Sequence, residues 1–254
     1  MSIQIIPKER QARGAFNGGE IVENKPIGFP REGGGIRPYS NLFYWAYAEA
    51  SVDSTIGLHP HEGFEIMSFV LKGNIRHYDT KLKEWRPLKA GDVQIIRAGN
   101  GISHAEFIAQ DGAIFQIWFD PDLSKTLNKP ASYDDYAAES LPIRQEGNVS
   151  VKTYIGDGAP VTLDTQGLEV LRFDFDETDY RRAVSTEKIH SLYVINGNFN
   201  INGEEVKAND YVILKDTDEL HIESREQGDL FMISSPARLD YLTYAQMMQE
   251  RMKA

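Results

Sequence analysis

The stretch Val70-Leu71-Lys72-Gly73-Asn74-Ile75 is echoed by Val194-Ile195-Asn196-Gly197-Asn198-Phe199 in the second half of the chain. Downstream, Leu88-Lys89-Ala90-Gly91-Asp92-Val93 is echoed by Val206-Lys207-Ala208-Asn209-Asp210-Tyr211. Two matches in the same order, at nearly equal offsets, point to a duplicated unit. Within each copy, a β-rich run meets a Gly or Asn turn and resumes, which is the grammar of strand, turn, strand.

The same grammar extends over most of the 254 residues. Runs of strand character are Leu42 to Tyr47, Glu65 to Leu71, Val93 to Ile96, Ala113 to Phe119, Val149 to Tyr154, Glu169 to Phe175, Ser191 to Ile195, Tyr211 to Leu214 and Leu230 to Ser234. Short strands at this spacing predict sandwiches or barrels, not alternating βαβ units. The fold class expected is all-β, with two tandem barrels of the double-sheet, jelly-roll kind. The boundaries expected are residues 1–130 for the first barrel, 131–236 for the second and 237–254 for a short C-terminal helix. The connecting region, from about Asp120 to Pro142, carries Pro121, Pro130 and Pro142 among polar residues. Helical signal is sparse. Ser132 to Glu139 reads as a short helix. The tail from Leu239 to Lys253 spaces Leu242, Ala245, Met248 and Met252 near one face, as a helix packed on a barrel or a subunit neighbour would.

Composition narrows the function. Hydrophobic residues make up 41% and charged residues 26%, which argues for a folded chain. The net charge of -11 repels phosphate backbones, and no Lys/Arg run offsets it, so direct nucleic-acid binding is not expected. Cysteine is absent, which removes disulfides, thiolate ligands and cysteine nucleophiles. No secretion signal and no span of about 20 apolar residues is present, so a cytoplasmic protein with no membrane contact is expected. No phosphate-binding loop and no serine-nucleophile elbow occurs.

Chemistry concentrates in two short pairs, His59-Pro60-His61 and His104-Ala105-Glu106. On a strand, residues i and i+2 share a face, so each pair aims both groups into one barrel interior. Three imidazoles and one carboxylate suit Fe, Mn, Ni, Cu or Zn better than Mg or Ca. Six-fold coordination would leave two positions open to water, substrate or dioxygen. Exposed histidines do pair by chance. Here, however, three of the first half's four histidines join the set, and glycines 57, 63, 99 and 101 flank it. His77 reads as a satisfied structural histidine. Glu65 reads as a partner to a neighbouring strand or a second-sphere acceptor, and Glu62 as a solvated turn residue. The second half holds His190 and His221 but neither pairing, so it reads as a copy that kept the barrel and lost the ligands.

These residues resemble the pirin family. Its first signature is similar to His59-Pro60-His61-Glu62-Gly63-Phe64-Glu65 with Val70-Leu71-Lys72-Gly73. Its second is similar to Gly91-Asp92-Val93-Gln94 with Ala98-Gly99-Asn100-Gly101-Ile102-Ser103-His104-Ala105-Glu106. Gln116-Ile117-Trp118, Pro130 with Tyr133, and Ile155-Gly156-Asp157-Gly158 also look pirin-like. The family's usual Arg after the second histidine is Glu62 here. The resemblance implies a bicupin, two tandem cupin barrels, with one divalent transition metal ion in the first barrel only. Iron is favoured, and its ligands map onto His59, His61, His104 and Glu106; Glu65 matches a non-ligand position.

Two activities follow from the resemblance. One is a quercetin 2,3-dioxygenase-like enzyme, a metal-dependent oxidoreductase that takes a flavonol-like or other enolizable aromatic substrate and dioxygen. Glu106 is then also the candidate general base. The other is a non-enzymatic regulator whose metal oxidation state switches a protein partner.

Overall fold

The computed structural model describes residues 1–29 and 31–253. They form two compact units. One comprises residues 11–138, 163–166 and 240–254, and the other residues 1–10, 139–162 and 167–239.

The chain opens with β1 (Ser2–Ile6), which belongs to the second unit. The first unit follows with β2 (Ala12–Phe16), β3 (Ile21–Ile27), β4 (Leu42–Ala50), β5 (Ser54–His61), β6 (Glu65–Lys72), β7 (Asn74–Asp79), β8 (Trp85–Lys89), β9 (Val93–Arg97), β10 (Ile102–Ile108) and β11 (Ala113–Phe119). The short helix α1 (Leu123–Thr126) and the strand β12 (Ser132–Tyr136) come next. Two sheets result, a seven-stranded one ordered β12-β9-β6-β11-β4-β3-β2 and a four-stranded one ordered β5-β10-β7-β8.

The second unit repeats this plan with β13 (Ile143–Glu146), β14 (Val149–Ile155), β15 (Glu169–Phe175), β16 (Thr178–Ala183), β17 (Lys188–Asn196), β18 (Asn198–Ile201), β19 (Glu204–Lys207), β20 (Tyr211–Lys215), β21 (Glu219–Ser224) and β22 (Gly228–Pro236). Its sheets are ordered β1-β20-β17-β22-β15-β14-β13 and β16-β21-β18-β19. Seven strands facing four, twice over, with every named pairing antiparallel, is the tandem cupin architecture expected from the sequence. Each of the nine runs read as strands lies inside a strand.

The repeat has a physical basis at its turns. Gly73 and Gly197 both take positive φ, 70° and 89°. A Cβ at Gly73 would stand 3.0 Å from Gly112 Cα, and one at Gly197 would stand 3.0 Å from Gly228 Cα. Neither turn has room for a side chain. Gly91 and Asn209 also match, at φ 91° and 72°, and Asn is the residue after Gly that best tolerates this region. The Asp that follows each closes the turn in the same way. Asp92 Oδ2 accepts from Lys89 N at 2.9 Å, and Asp210 Oδ2 accepts from Lys207 N at 3.0 Å.

The two interiors differ. The second is lined mainly by apolar residues, with Leu192, Val212, Met232, Leu220, Ile222 and Ile201 all buried in one cluster and one buried polar pair, His190 and Ser234, beside it. The first is apolar at one end, around Ile21, Ile56, Val70, Ile75, Ile108 and Ile114. Ser68, Gln94, Gln116, His104, Glu106 and His77 are buried too. Register makes the comparison residue by residue. Ser68 pairs with Gln94 and Gln116, whereas Leu192 pairs with Val212 and Met232.

Two helical expectations change. Ser132–Tyr136 is the edge strand β12, with Tyr133 opposite Ile96 and Asp135 opposite Gln94. Pairing to the free edge of β9 and packing of Tyr133 on the Ile66–Ile96 cluster override a local pattern that suits a helix. The C-terminal helix α2 spans Tyr244–Lys253, so Leu242 precedes it and is exposed, and Met252 is exposed as well. Its start is fixed by a capping box, with Gln246 N donating to Thr243 Oγ1 at 3.3 Å and Thr243 N donating to Gln246 Oε1 at 2.9 Å. Among the described residues, no helix is long and apolar enough to cross a membrane.

Candidate metal centre

β5 and β10 are antiparallel neighbours, with His104 opposite His59 and Ile102 opposite His61. The i, i+2 alternation therefore works on both strands at once. Between His104 and Glu106 the register slips, so that Glu106 faces Ile56. The bulge falls on β5 at Gly57 and Leu58, where a glycine eases the bend and a bulge re-aims the next side chain. His59 Nδ1 donates to the Gly57 carbonyl at 2.7 Å. That bond leaves Nε2 as the nitrogen with a free lone pair.

His59, His61 and His104 form a near-equilateral triangle. Their ring centroids lie 4.8 Å (59–61), 4.4 Å (59–104) and 4.8 Å (61–104) apart. All three bring a ring nitrogen within 4.8 Å of the others. His61 Nε2 and His104 Nε2 stand 2.9 Å apart. Two ligands at right angles, each ~2.1 Å from one ion, would stand ~3.0 Å apart. The spacing therefore fits a shared cation. Burial, reinforced by the other imidazoles, lowers His61 to about 3 and His104 well below its ordinary value. Neutral rings with converging lone pairs are what a cation requires of its ligands.

Glu106 is fully buried but stands apart from this triangle. Its Oε1 accepts from Ser68 Oγ at 2.7 Å and from Gln94 Nε2 at 3.1 Å, and its Oε2 accepts from Gln116 Nε2. Each amide is turned by an aromatic donor behind it. The single Tyr133 Oη hydrogen faces Gln94 Oε1 and Asp135 Oδ2, each at 3.3 Å, and Trp118 Nε1 donates to Gln116 Oε1 at 3.4 Å. With their oxygens so engaged, both glutamines present NH2 to the carboxylate. Three of its roughly four acceptor directions are used, and the remaining one is on Oε2.

Sequence reasoning did not single out Ser68, Gln94 or Gln116 for this role, since neutral amides carry no spacing signature. A signal was available: each is polar at an inward strand position whose repeat partner (Leu192, Val212, Met232) is apolar. Glu65 proves to be no part of the cluster. Its Oε1 accepts from Asp164 N at 2.6 Å, and its Oε2 accepts from Thr165 N at 2.8 Å and Thr165 Oγ1 at 2.6 Å. Glu62 is exposed and, with Pro60, His61, Thr80, Ile102 and Ser103, lines a cleft of about 520 Å³ at the mouth. Trp118 packs edge-on against His61 at 4.7 Å.

Residues 38–119 match the Pirin family model. That stretch is similar to the pirin family, and it covers the strands that carry the histidine triangle. A pirin-like protein of Caulobacter vibrioides is 29% identical over 186 residues, 69% of this chain and 67% of its own. A quercetin 2,3-dioxygenase of Escherichia coli K12 is 24% identical over 190 residues, 71% of this chain and 76% of its own. Among solved structures, the bacterial pirin YhhW of Escherichia coli in complex with nickel(II) superposes with a TM-score of 0.77 at 19% identity, over 93% of this chain and 100% of that one. At that identity the likeness speaks to the fold alone.

A second histidine–carboxylate group, Asp179, His221 and Glu223, lies on the other barrel. Arg181 stands among them, 3.2 Å from His221 Nε2 and 2.7 Å from Glu219 Oε1. Its fixed positive charge already pairs with Asp179 at 3.7 Å, and Asp179 is exposed. This is a solvated ion network. The second interior has Leu220, Ile222 and Ile201 where the first has His104, Glu106 and His77, so the copy lacks the donors as well as the polar frame.

Proposed function

We propose that the first barrel binds one divalent transition metal ion, iron in preference to Mn, Ni, Cu or Zn, through His59, His61, His104 and Glu106. We further propose that the chain is a metal-dependent dioxygenase for a flavonol-like or other enolizable aromatic substrate. The observation that carries this reading is the pair of converging neutral nitrogens, His61 Nε2 and His104 Nε2, 2.9 Å apart beneath an open cleft. The quercetin 2,3-dioxygenase name of a relative supports the substrate class.

The bound ion would supply Lewis acidity toward a substrate oxyanion and a template for dioxygen. The chain's own residues do the rest. His59 and His104 face each other across β5 and β10 and hold two corners of the site. The cleft beside His61 is lined by Pro60 and Ile102 with Thr80 and Ser103, which would offer an aromatic substrate both apolar and polar surface. Trp118, packed edge-on against His61, would help to hold that ring in place. Glu106 has one acceptor direction left. It serves either as a ligand or as acceptor of the substrate hydroxyl proton, and the second role requires it to leave the first.

The test is metal analysis of protein purified without nickel resin, followed by aerobic incubation with quercetin. Loss of flavonol absorbance in the iron-loaded protein, abolished by His104→Ala, is expected. Metal binding without turnover of any flavonol would leave the ion and remove the dioxygenase, and would favour the regulatory reading. Absence of bound metal would remove both.

A further inference from the structure

His77 lies beside the histidine triangle and is fully buried. It sits opposite Glu106 in the β7–β10 pairing, and its neighbour Asp79 sits opposite His104. The ring is fixed on two sides. Tyr133 stacks on its face at 4.3 Å and 13°. Asp79 Oδ2 lies 2.9 Å from His77 Nε2. Asp79 is itself held, its Oδ1 accepting from Lys81 N and Leu82 N at 2.7 Å each. A carboxylate oxygen is an acceptor, so His77 Nε2 carries the hydrogen and Nδ1 carries a lone pair.

That Nδ1 is buried without a hydrogen-bond partner, and so is Nδ1 of His104. The two orphans are complementary. His104 directs Nε2 at His61, and a ring that offers Nε2 as a lone pair must carry its hydrogen on Nδ1. With His104 Nε2 as the accepting or metal-facing nitrogen, His104 Nδ1 is an unplaced donor and His77 Nδ1 an unplaced acceptor. Their centroids are 5.7 Å apart at a tilt of 43°. A hydrogen bond between the two Nδ1 atoms would bring the centroids to roughly 5 Å, a small adjustment from this separation.

We propose that His77, backed by Asp79, is a positioning residue for His104. Asp79 fixes the His77 tautomer, and His77 accepts the hydrogen of His104 Nδ1. His104 is thereby kept with its Nε2 lone pair turned into the triangle. The arrangement is a carboxylate–imidazole–imidazole line ending at the metal position. It extends by one ring the carboxylate–histidine support that metal-ligating histidines commonly have. The proposal rests on the metal reading for its purpose, but its hydrogen-bond assignment can be tested without any metal.

Long-range 1H–15N correlation spectra of the six imidazoles, assigned with single histidine variants, report each tautomer. The protein is recorded without metal and during titration with zinc, a diamagnetic probe. The expected result is His77 protonated at Nε2 only and His104 protonated at Nδ1. Asp79→Asn keeps an oxygen for Lys81 N and Leu82 N but turns an NH2 to His77. It should move the His77 hydrogen to Nδ1, set two donors against each other and weaken zinc binding about 10–100-fold. His77→Phe retains the stacking on Tyr133 and should lose affinity to a similar extent. His77→Gln can donate to Asp79 and accept from His104, so it should recover most of it.

His77 protonated at Nδ1 in the parent protein would overturn the proposal, as would unchanged zinc affinity in both Asp79→Asn and His77→Phe. Equal loss in His77→Gln and His77→Phe would also overturn it, since a packing role needs no such rescue. If the parent protein binds no zinc, the metal reading fails by itself. The tautomers and the His104 Nδ1 hydrogen bond then decide the His77 assignment alone.

Discussion

Gln116 turns its amide nitrogen toward Glu106 because its oxygen faces Trp118 Nε1, 3.4 Å away. The indole can only donate, so the amide has one satisfactory orientation. The Trp118 indole and the buried Glu106 carboxylate are thus linked through one side chain. Replacing it by Gln116→Leu leaves the Trp118 N–H and one side of Glu106 without partners. Unfolding free energy should fall by about 1–3 kcal/mol, measured by urea denaturation without metal. Metal affinity should fall about 10–100-fold in a competition titration. Unchanged affinity would mean that Glu106 does not depend on this clamp.

Glu65 separates stability from metal binding. Its carboxylate accepts three hydrogen bonds from Asp164 and Thr165 and is buried. Glu65→Ala removes both acceptor oxygens, and so all three hydrogen bonds, at once and should cost several kcal/mol, on the order of 3–5. Metal stoichiometry, read by elemental analysis of the folded variant, should not change. A lost equivalent of metal would make Glu65 a ligand after all.

Asp120 gives the first unit a dependence on pH. Its Oδ2 accepts the Tyr244 N–H at 2.7 Å, and its backbone oxygen accepts from Tyr241 Oη at 2.6 Å. Burial lifts its carboxyl from the ordinary 3.8 to about 7, opposed by the Tyr244 bond. An acid whose folded pKa is raised binds more protons folded than unfolded between those values. Stability from this group is therefore greatest in acid and falls as pH rises from about 4 to 7, then levels. Asp120→Asn removes the titration. The variant's stability relative to the parent should rise across that window, by at most roughly 4 kcal/mol. Denaturation curves at pH 4, 5.5, 7 and 8 measure this, and a flat difference would refute it.

Gly73 and Gly197 occupy equivalent turns against Gly112 and Gly228. Gly73→Ala and Gly197→Ala should destabilise by similar amounts, about 1–3 kcal/mol, from positive φ and close backbone contact. Only Gly73→Ala touches the barrel with the polar interior, so only it should speed metal loss to a chelator. Equal metal retention in both would show that the turn does not support the site.

Much of the site was legible because strand alternation is local. His59 with His61, and His104 with Glu106, needed only the two-residue period to be aimed inward. The duplication was legible because its turns require glycine or asparagine whatever surrounds them. Ser132 to Tyr136 was not legible as a strand, since the free edge of β9 that recruits it lies more than thirty residues away in sequence. His77 was read as satisfied, and half of it is. Its Nε2 has a partner two residues away, while its Nδ1 depends on a ring across the sheet.

The sequence by itself determined the two barrels, the turns that close them and which half carries the metal-binding side-chain types. Periodicity and backbone conformation are properties of neighbours along the chain, so a linear reading reaches them. Only the tertiary structure decided that Glu106 meets two glutamines and a serine, that aromatic donors set those amides, and that two histidine nitrogens are left as a matched pair. Hydrogen-bond direction depends on which groups are brought face to face from separate strands. No spacing within one strand encodes that.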